Sequence, residues 1–177
     1  MKTKALFLDR DGVINIDYGY VYQIEKFEFT KGVFDLLRLF LENGYLLFVV
    51  TNQSGIGRGY YTQEQFLDLT DWMLEKFREE NIEIVSVLHC HHAPEEQCGC
   101  RKPATGMVDE ILKNNEIDLE NSWLIGDKQS DIDLAINSNI KHTIAIGERK
   151  IKNATLSFKT ILECKLFLEE NKDIIAL

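Results

Sequence analysis

The chain has 177 residues, 45% of them hydrophobic and 28% charged, with a net charge of −9 and a pI near 5.0. That length suits one domain with a full buried core, so a single domain spanning 1–177 is expected. The acidity repels nucleic-acid backbones and anionic membranes, so neither is expected as a partner, and an anionic substrate must be met by local cations, a metal or backbone amides.

Met1-Lys2-Thr3-Lys4 leads directly into an apolar run too short for a signal-peptide core. No stretch approaches the roughly 20 apolar residues of a membrane span, so a cytoplasmic location is expected. That first run, Ala5 to Leu8, reads as a strand buried on both faces. Val33, Leu36, Leu37, Phe40 and Leu41 fall at helical spacing, and Asn43-Gly44 supplies a stop. A second strand runs from Tyr45 to Val50. Thr62-Gln63-Glu64-Gln65 has the form of a capping box, ahead of a stripe of Phe66, Leu69, Met73 and Phe77. Ile82 to Leu88 reads as a third strand, Met107, Ile111 and Leu112 as a helix, and Trp123 to Ile125 as a fourth strand. Ile132 to Ile136 marks a short helix, Thr143 to Ile146 a fifth strand, and Phe158 to Glu170 a closing helix. Strands alternating with helices predict an α/β fold, a doubly wound parallel sheet with helices on both faces.

In such sheets ligands sit beyond the carboxyl ends of the strands, at a switch in strand order. Asp9 and Asp11 follow the first strand, Thr51 and Asn52 the second, and Gly126-Asp127 the fourth. A phosphate ester repels nucleophiles, so its cleavage needs a metal and fixed cations. Asp9 suits a nucleophile that forms an aspartyl-phosphate. Asp11 can protonate the leaving oxygen and then deprotonate water. Thr51 and Asn52 offer a hydroxyl and an amide to a phosphoryl oxygen, and the glycines of Ser54–Gly59 free backbone amides for an anion. Lys102, in the Arg101-Lys102-Pro103 turn, is the fixed cation. Asp127 suits Mg²⁺, while Asp131 either supports that metal or caps the following helix.

Cys90, Cys98 and Cys100 crowd into eleven residues with His92 in the form Cys-x-His-x₅-Cys-x-Cys. In a reducing cytosol this pattern predicts a closed structural Zn²⁺ site that fixes the loop carrying Arg101 and Lys102. His89 and His91 are the alternatives to His92, and Cys164 is expected in the core.

Asp9-x-Asp11-Gly12, Thr51-Asn52, Lys102 and Gly126-Asp127 together resemble the motifs of the haloacid dehalogenase-like phosphatases. The resemblance implies Thr51 and Lys102 as phosphoryl stabilisers. It also implies Mg²⁺ held by Asp9 and Asp127, with Asp11 contributing its backbone carbonyl. Many members carry a second acid where Lys128 stands. Leu8 to Asn15, Asp17 to Val21, Thr51 to Ile56 and Cys98 to Pro103 are similar to the D-glycero-manno-heptose 1,7-bisphosphate phosphatases. Those are close to the histidinol-phosphate phosphatases, the alternative activity. The heptose resemblance implies removal of a 7-phosphate on the way to nucleotide-activated heptose for surface polysaccharide. It implies substrate contacts at Asp17, Tyr18, Gly19, Tyr20, Asn52, Gln53, Ser54, Arg101 and Lys128.

The intervals between the motifs hold no separate cap domain, so loops select a small sugar phosphate, and a monomer is expected. Tyr18, Tyr20 and Tyr22 are candidates to cover the substrate. A phospho-acceptor receiver domain shares several of these groups, but its acceptor follows a middle strand and it has no use for the zinc loop. A non-catalytic zinc module leaves the converging acids unexplained.

Overall fold

The computed structural model describes residues 2–176. Among them six strands form one parallel sheet in the order β3-β2-β1-β4-β5-β6. The chain runs through β1 (Ala5–Leu8), α1 (Val33–Glu42), β2 (Leu46–Asn52), α2 (Ser54–Gly57) and α3 (Gln63–Glu79). It continues through β3 (Ser86–Cys90), α4 (Gly106–Asn114), β4 (Trp123–Gly126), α5 (Gln129–Asn137), β5 (His142–Ile146), β6 (Leu156–Phe158), α6 (Ile161–Glu170) and α7 (Asp173–Ala176). The strand order reverses between β1 and β4, which is the switch point where such sheets bind ligands.

Alternation along the strands divides the core. Leu6 and Leu8 join Leu47 and Val49 under α1, α3 and α6, while Ala5 and Phe7 join Phe48 and Val50 under α4 and α5. Burying each large side chain contributes about 1.5–3 kcal/mol, more than the ~1 kcal/mol spread of strand propensities. Burial therefore fixes the register, which sets Leu8 beside both Val49 and Ile125. The groups that follow β1, β2 and β4 consequently emerge at one level.

The capping box at Thr62 forms as read: Gln65 N–H donates to Thr62 Oγ1 at 3.1 Å and Thr62 N–H to Gln65 Oε1 at 2.9 Å. Three expectations shift. Strand three begins at Ser86 rather than Ile82, because Asn81 turns at φ +58° and Ile82 N–H closes back on Phe77 O. Its first apolar residue thus seals the end of α3. Phe158 belongs to β6, which pairs with β5, and the closing helix starts only after Thr160, whose hydroxyl accepts from Glu163 N–H at 3.1 Å.

The third shift concerns the glycine-rich segment, where the amides of Ile56 to Gly59 are engaged within the protein. Ser54–Gly57 is a helical turn, and Gly57 N–H and Arg58 N–H donate to His91 O and Ser54 O. Gly55 is required by close approach, since a Cβ there would sit 2.1 Å from the Tyr61 ring.

Candidate active site

The end of β1 presents Asp9, 5% exposed, whose N–H donates to Ile125 O on β4. Its Oδ1 accepts from the Arg10 N–H at 2.8 Å and from Lys102 Nζ at 2.9 Å. Lys102, equally buried, also meets Asp131 Oδ1 at 2.7 Å and Val50 O at 2.9 Å. Burial alone lowers the affinity of Lys102 for its proton, but Asp131 and Asp9 outweigh it and hold the ammonium charged well above its ordinary value. Asp9 moves the other way. Burial raises its carboxyl to about 7, with Lys102 opposing and Asp131 and Asp127 reinforcing.

Carboxylate oxygens of Asp9, Asp127 and Asp131 lie within 4.8 Å of one another. Burial likewise raises Asp127. Its Oδ1 is buried with no partner among the described residues, and its Oδ2 meets Arg149 Nη1 at 3.2 Å. Gly12, at φ +89°, packs directly against this carboxylate, and a Cβ there would lie 2.5 Å from it. Crowded, partly unsatisfied acids with one oxygen left over are what a hard, oxygen-seeking cation requires. Asp131 does two things: its Oδ2 accepts from Asp127 N–H and Lys128 N–H at the start of α5, and its Oδ1 pairs with Lys102.

Asp11 is held as a carboxylate. Burial raises its pKa, but the Arg10 charge and hydrogen bonds from Arg10, Asn15 and Gln53 outweigh that and bring it below the ordinary value. Gln53 Nε2 donates both to Asp11 Oδ2 and to Thr51 Oγ1, each at 2.9 Å, and Tyr61 donates to Gln53 Oε1. The sequence marks Gln53 only as a substrate contact; here it also bridges the side chains of Asp11 and Thr51.

Above these groups a cavity of about 320 Å³ is lined by Asp11, Asp17, Gly19, Tyr20, Asn52, Gln53, Ser54, Tyr61, Lys128 and Arg149. It gathers most of the substrate contacts implied by the sequence. Lys128 Nζ lies 3.6 Å from Asp17 Oδ2 across it. Tyr18 is not brought in: it is 60% exposed and donates to Glu28, neither residue lining this cavity. Arg101 lies outside the lining, with its Nη1 buried. Tyr22 stacks on Tyr61 at 5.1 Å, as ordinary packing, while Tyr20 meets Tyr60 edge-on. Arg149 escaped sequence reading because it follows β5, whose end carries no motif; only its place on the neighbour of β4 marks it.

The second metal-ready group is Cys90, His92, Cys98 and Cys100. Sulfur–sulfur separations run from 3.0 to 3.6 Å, and His92 Nδ1 lies 3.5 and 3.3 Å from Cys90 and Cys100. A tetrahedron with Zn–S bonds of about 2.3 Å has edges of roughly 3.8 Å, so this set needs only to open slightly to hold zinc. Burial raises the Cys98 thiol, but N–H groups of Arg101 and Cys100 lead the effects that lower it to about 7, whereas burial pushes Cys90 and Cys100 up, so Cys98 is the thiol that ionises first. A readily ionised thiol is suited to Zn²⁺. His92 is the imidazole; His89 turns instead to Gln63. Asn52 fastens the other end of the loop, its Oδ1 accepting from Lys102 N–H at 3.0 Å.

A buried strand-end carboxylate gripped by a lysine beside a cation-ready acid cluster, at the switch point of this sheet, is the arrangement expected of a haloacid dehalogenase-like hydrolase. Comparison with known proteins agrees. The family model described as polynucleotide kinase 3 phosphatase matches residues 12–160. A D-glycero-α-D-manno-heptose-1,7-bisphosphate 7-phosphatase from Campylobacter jejuni is 49% identical over 98% of this chain and 100% of its own. A β-anomer counterpart from Helicobacter pylori is 46% identical over 94% of this chain and 95% of its own. A D,D-heptose 1,7-bisphosphate phosphatase from B. bronchiseptica, crystallised with magnesium and phosphate, superposes with a TM-score of 0.82 at 23% identity, covering 95% of this chain and 99% of that one. The chain therefore belongs to that phosphatase family and, within it, to the D-glycero-manno-heptose 1,7-bisphosphate 7-phosphatases.

Proposed function

We propose that this protein is a phosphoric monoester hydrolase that removes the 7-phosphate of D-glycero-manno-heptose 1,7-bisphosphate, a step toward nucleotide-activated heptose. The observation that carries the chemistry is the buried Asp9–Lys102–Asp131 chain beside Asp127. The two near-full-length relatives carry the substrate.

Asp9 attacks phosphorus, the bond to the sugar oxygen breaks, and that oxygen takes a proton from Asp11. Asp11 then removes a proton from the water that hydrolyses the aspartyl-phosphate, which restores Asp9. Although Asp11 is ionised in the protein alone, a phosphoryl dianion beside it raises its proton affinity. Thr51 Oγ1 and the Lys102 ammonium face the developing charge on the phosphoryl oxygens. The Asp9 and Asp127 carboxylates and the Asp11 carbonyl would hold Mg²⁺, which supplies charge neutralisation at the phosphoryl group. Zn²⁺ at Cys90, His92, Cys98 and Cys100 is structural. Asp17, Gly19, Tyr20, Asn52, Gln53, Ser54 and Lys128 accommodate the sugar and its second phosphate, with Tyr18 and Arg101 at the margin.

The reading extends to one domain acting as a monomer on a small molecule in the cytoplasm. The charge of −9 disfavours nucleic-acid and membrane partners, and no helix among the described residues is long and apolar enough to cross a membrane. The deciding experiment compares kcat/KM for both anomers of the heptose bisphosphate with that for histidinol phosphate. At least a hundred-fold preference for a heptose anomer is expected; equal or reversed preference sinks the substrate assignment. Asp9→Asn should abolish phosphate release with fold and zinc intact, and full activity there refutes the nucleophile.

A further inference from the structure

Arg10 stands between the two reactive carboxylates and has no place in the reaction as derived above. Its side chain is 1% exposed, the largest among the fully buried side chains. Nη2 donates to Asp11 Oδ1 at 2.8 Å and to Val21 O at 2.6 Å. The guanidinium carbon lies 5.9 Å from the Phe27 ring centre and 5.7 Å from that of Phe66. Nε and Nη1 are buried with no partner among the described residues. A buried guanidinium with unpaired N–H groups is expensive, and an apolar side chain of similar volume would pack there at less cost. What Arg10 does must therefore require its charge and its planar fork.

The Asp11 carboxylate shows what that is. Oδ1 receives Arg10 Nη2 and Asn15 Nδ2, at 2.8 and 3.0 Å. Oδ2 receives Gln53 alone among the described residues, and Asp11 lines the substrate cavity. Two donors on one oxygen fix the carboxylate plane and leave the other oxygen to work. Val21, held by the same guanidinium nitrogen, ends the segment that brings Asp17, Gly19 and Tyr20 to that cavity. One buried cation thus ties the proton-transfer group to the segment 17–21 that lines the cavity.

We infer that Arg10 is a positioning residue that holds Asp11 by Oδ1 and turns Oδ2 toward the leaving oxygen of the ester. This rests on the phosphatase reading and on Asp11 as its acid. Arg10 touches neither substrate nor metal in this arrangement; its effect passes through Asp11. A sugar alkoxide is a poor leaving group and departs only with a proton, whereas 4-nitrophenolate departs without one. Loss of Asp11 alignment therefore slows the step that breaks the ester bond in the order of leaving-group basicity.

The test measures kcat/KM of Arg10→Met, Arg10→Lys and Asp11→Asn on 4-nitrophenyl phosphate, phenyl phosphate and the heptose bisphosphate, because kcat/KM reports the step that breaks the ester bond, whereas kcat also contains the aspartyl-phosphate hydrolysis that all three esters share. Arg10→Met should lose about 100-fold in kcat/KM on the sugar ester, the scale of positioned acid catalysis. It should lose less than about 10-fold on the nitrophenyl ester by the same criterion, with phenyl phosphate between. Circular dichroism and zinc content report folding. Should Arg10→Met not fold, Arg10→Lys carries the test. Its point charge cannot bridge Asp11 and Val21, so the same selective loss appears at smaller size. An equal fall in kcat/KM on all three esters, or none, overturns the inference by showing a packing role. Asp11→Asn distinguishes the deeper failure: if that variant shows no dependence on the leaving group, the acid assignment falls and Arg10 falls with it.

Discussion

Replacing Lys102 with Met removes a cation of similar length that touches Asp9, Asp131 and the Val50 carbonyl within 2.7–2.9 Å. At an effective dielectric of about 20, each carboxylate contact is worth roughly 6 kcal/mol of attraction. Most of that offsets the desolvation of the three ions. Breaking one side of a buried network leaves the remaining charges uncompensated, and the net loss should be about 3–5 kcal/mol, a large part of the 5–15 kcal/mol typical of a whole domain. The loss must depend on pH. In the intact protein Asp9 holds its proton up to about 7, so at pH 8 Lys102 faces a charged Asp9 and at pH 5.5 a neutral one. The destabilisation at pH 5.5 should therefore be about half that at pH 8, because only the Asp131 contact then counts as an ion pair. Urea unfolding of both proteins at the two pH values, without added magnesium, measures this directly. A loss below about 1 kcal/mol, or one equal at both pH values, refutes the reasoning that Lys102 is held by ionised Asp9.

Gly12→Ala drives a Cβ to 2.5 Å from the Asp127 carboxylate at φ +89°. Weakening of Mg²⁺ binding by about 10-fold or more is expected in calorimetry, the order that disturbing a ligand's support costs, and unchanged affinity would contradict it. Without metal, Asp9 has a folded pKa of about 7, raised from 3.8 by burial first. Its favourable contribution is thus complete below pH 3.8 and lost as pH rises through 7, so Mg²⁺ should stabilise the protein increasingly over that range. Melting temperatures with and without Mg²⁺ from pH 4 to 8 test this; a constant difference argues against it. Elemental analysis should find one zinc per chain regardless of magnesium. Cys98→Ser should lower kcat by about 10-fold or more while the sheet's circular dichroism persists, since the loop it holds carries Lys102.

Much of the site could be read from the sequence because its residues follow apolar runs whose ends are visible. Asp9, Thr51 and Asp127 each sit at the limit of a strand, and parallel register does the rest. Lys102 was placed by the crowded cysteines before it. Ile82 misled because an apolar residue at a helix end and one at a strand start look alike; the left-handed Asn81 decides between them. β6 was hidden for a related reason: it has only Leu156, Ser157 and Phe158, and pairing with β5 rather than propensity makes it a strand. Arg10, Gln53 and Arg149 act through partners distant in sequence, Val21, Tyr61 and Asp127, and no local pattern announces such contacts.

The zinc loop explains how so small a fold keeps a buried lysine among acids. Residues 91–105 contain one short 3-10 turn, Pro94–Glu96, and otherwise irregular backbone. A loop of that length is ordinarily mobile, and a mobile lysine would leave for solvent, since burial without aligned partners costs several kcal/mol. Two fastenings prevent this. Cys98 and Cys100 anchor the loop to Cys90 at the end of β3, and Asn52 at the end of β2 grips the Lys102 backbone on both sides, Nδ2 reaching Lys102 O at 3.4 Å. β2 and β3 are paired, with Asn52 opposite Cys90, so both anchors stand on one rigid ledge. The ammonium is thereby aimed at Asp9 from a fixed point. Loss of either fastening should reach the chemistry through Lys102 rather than through the sheet. Asn52→Ala and Cys98→Ser should consequently be less than additive in their effect on kcat; full additivity would mean that the two anchors act on separate parts of the reaction.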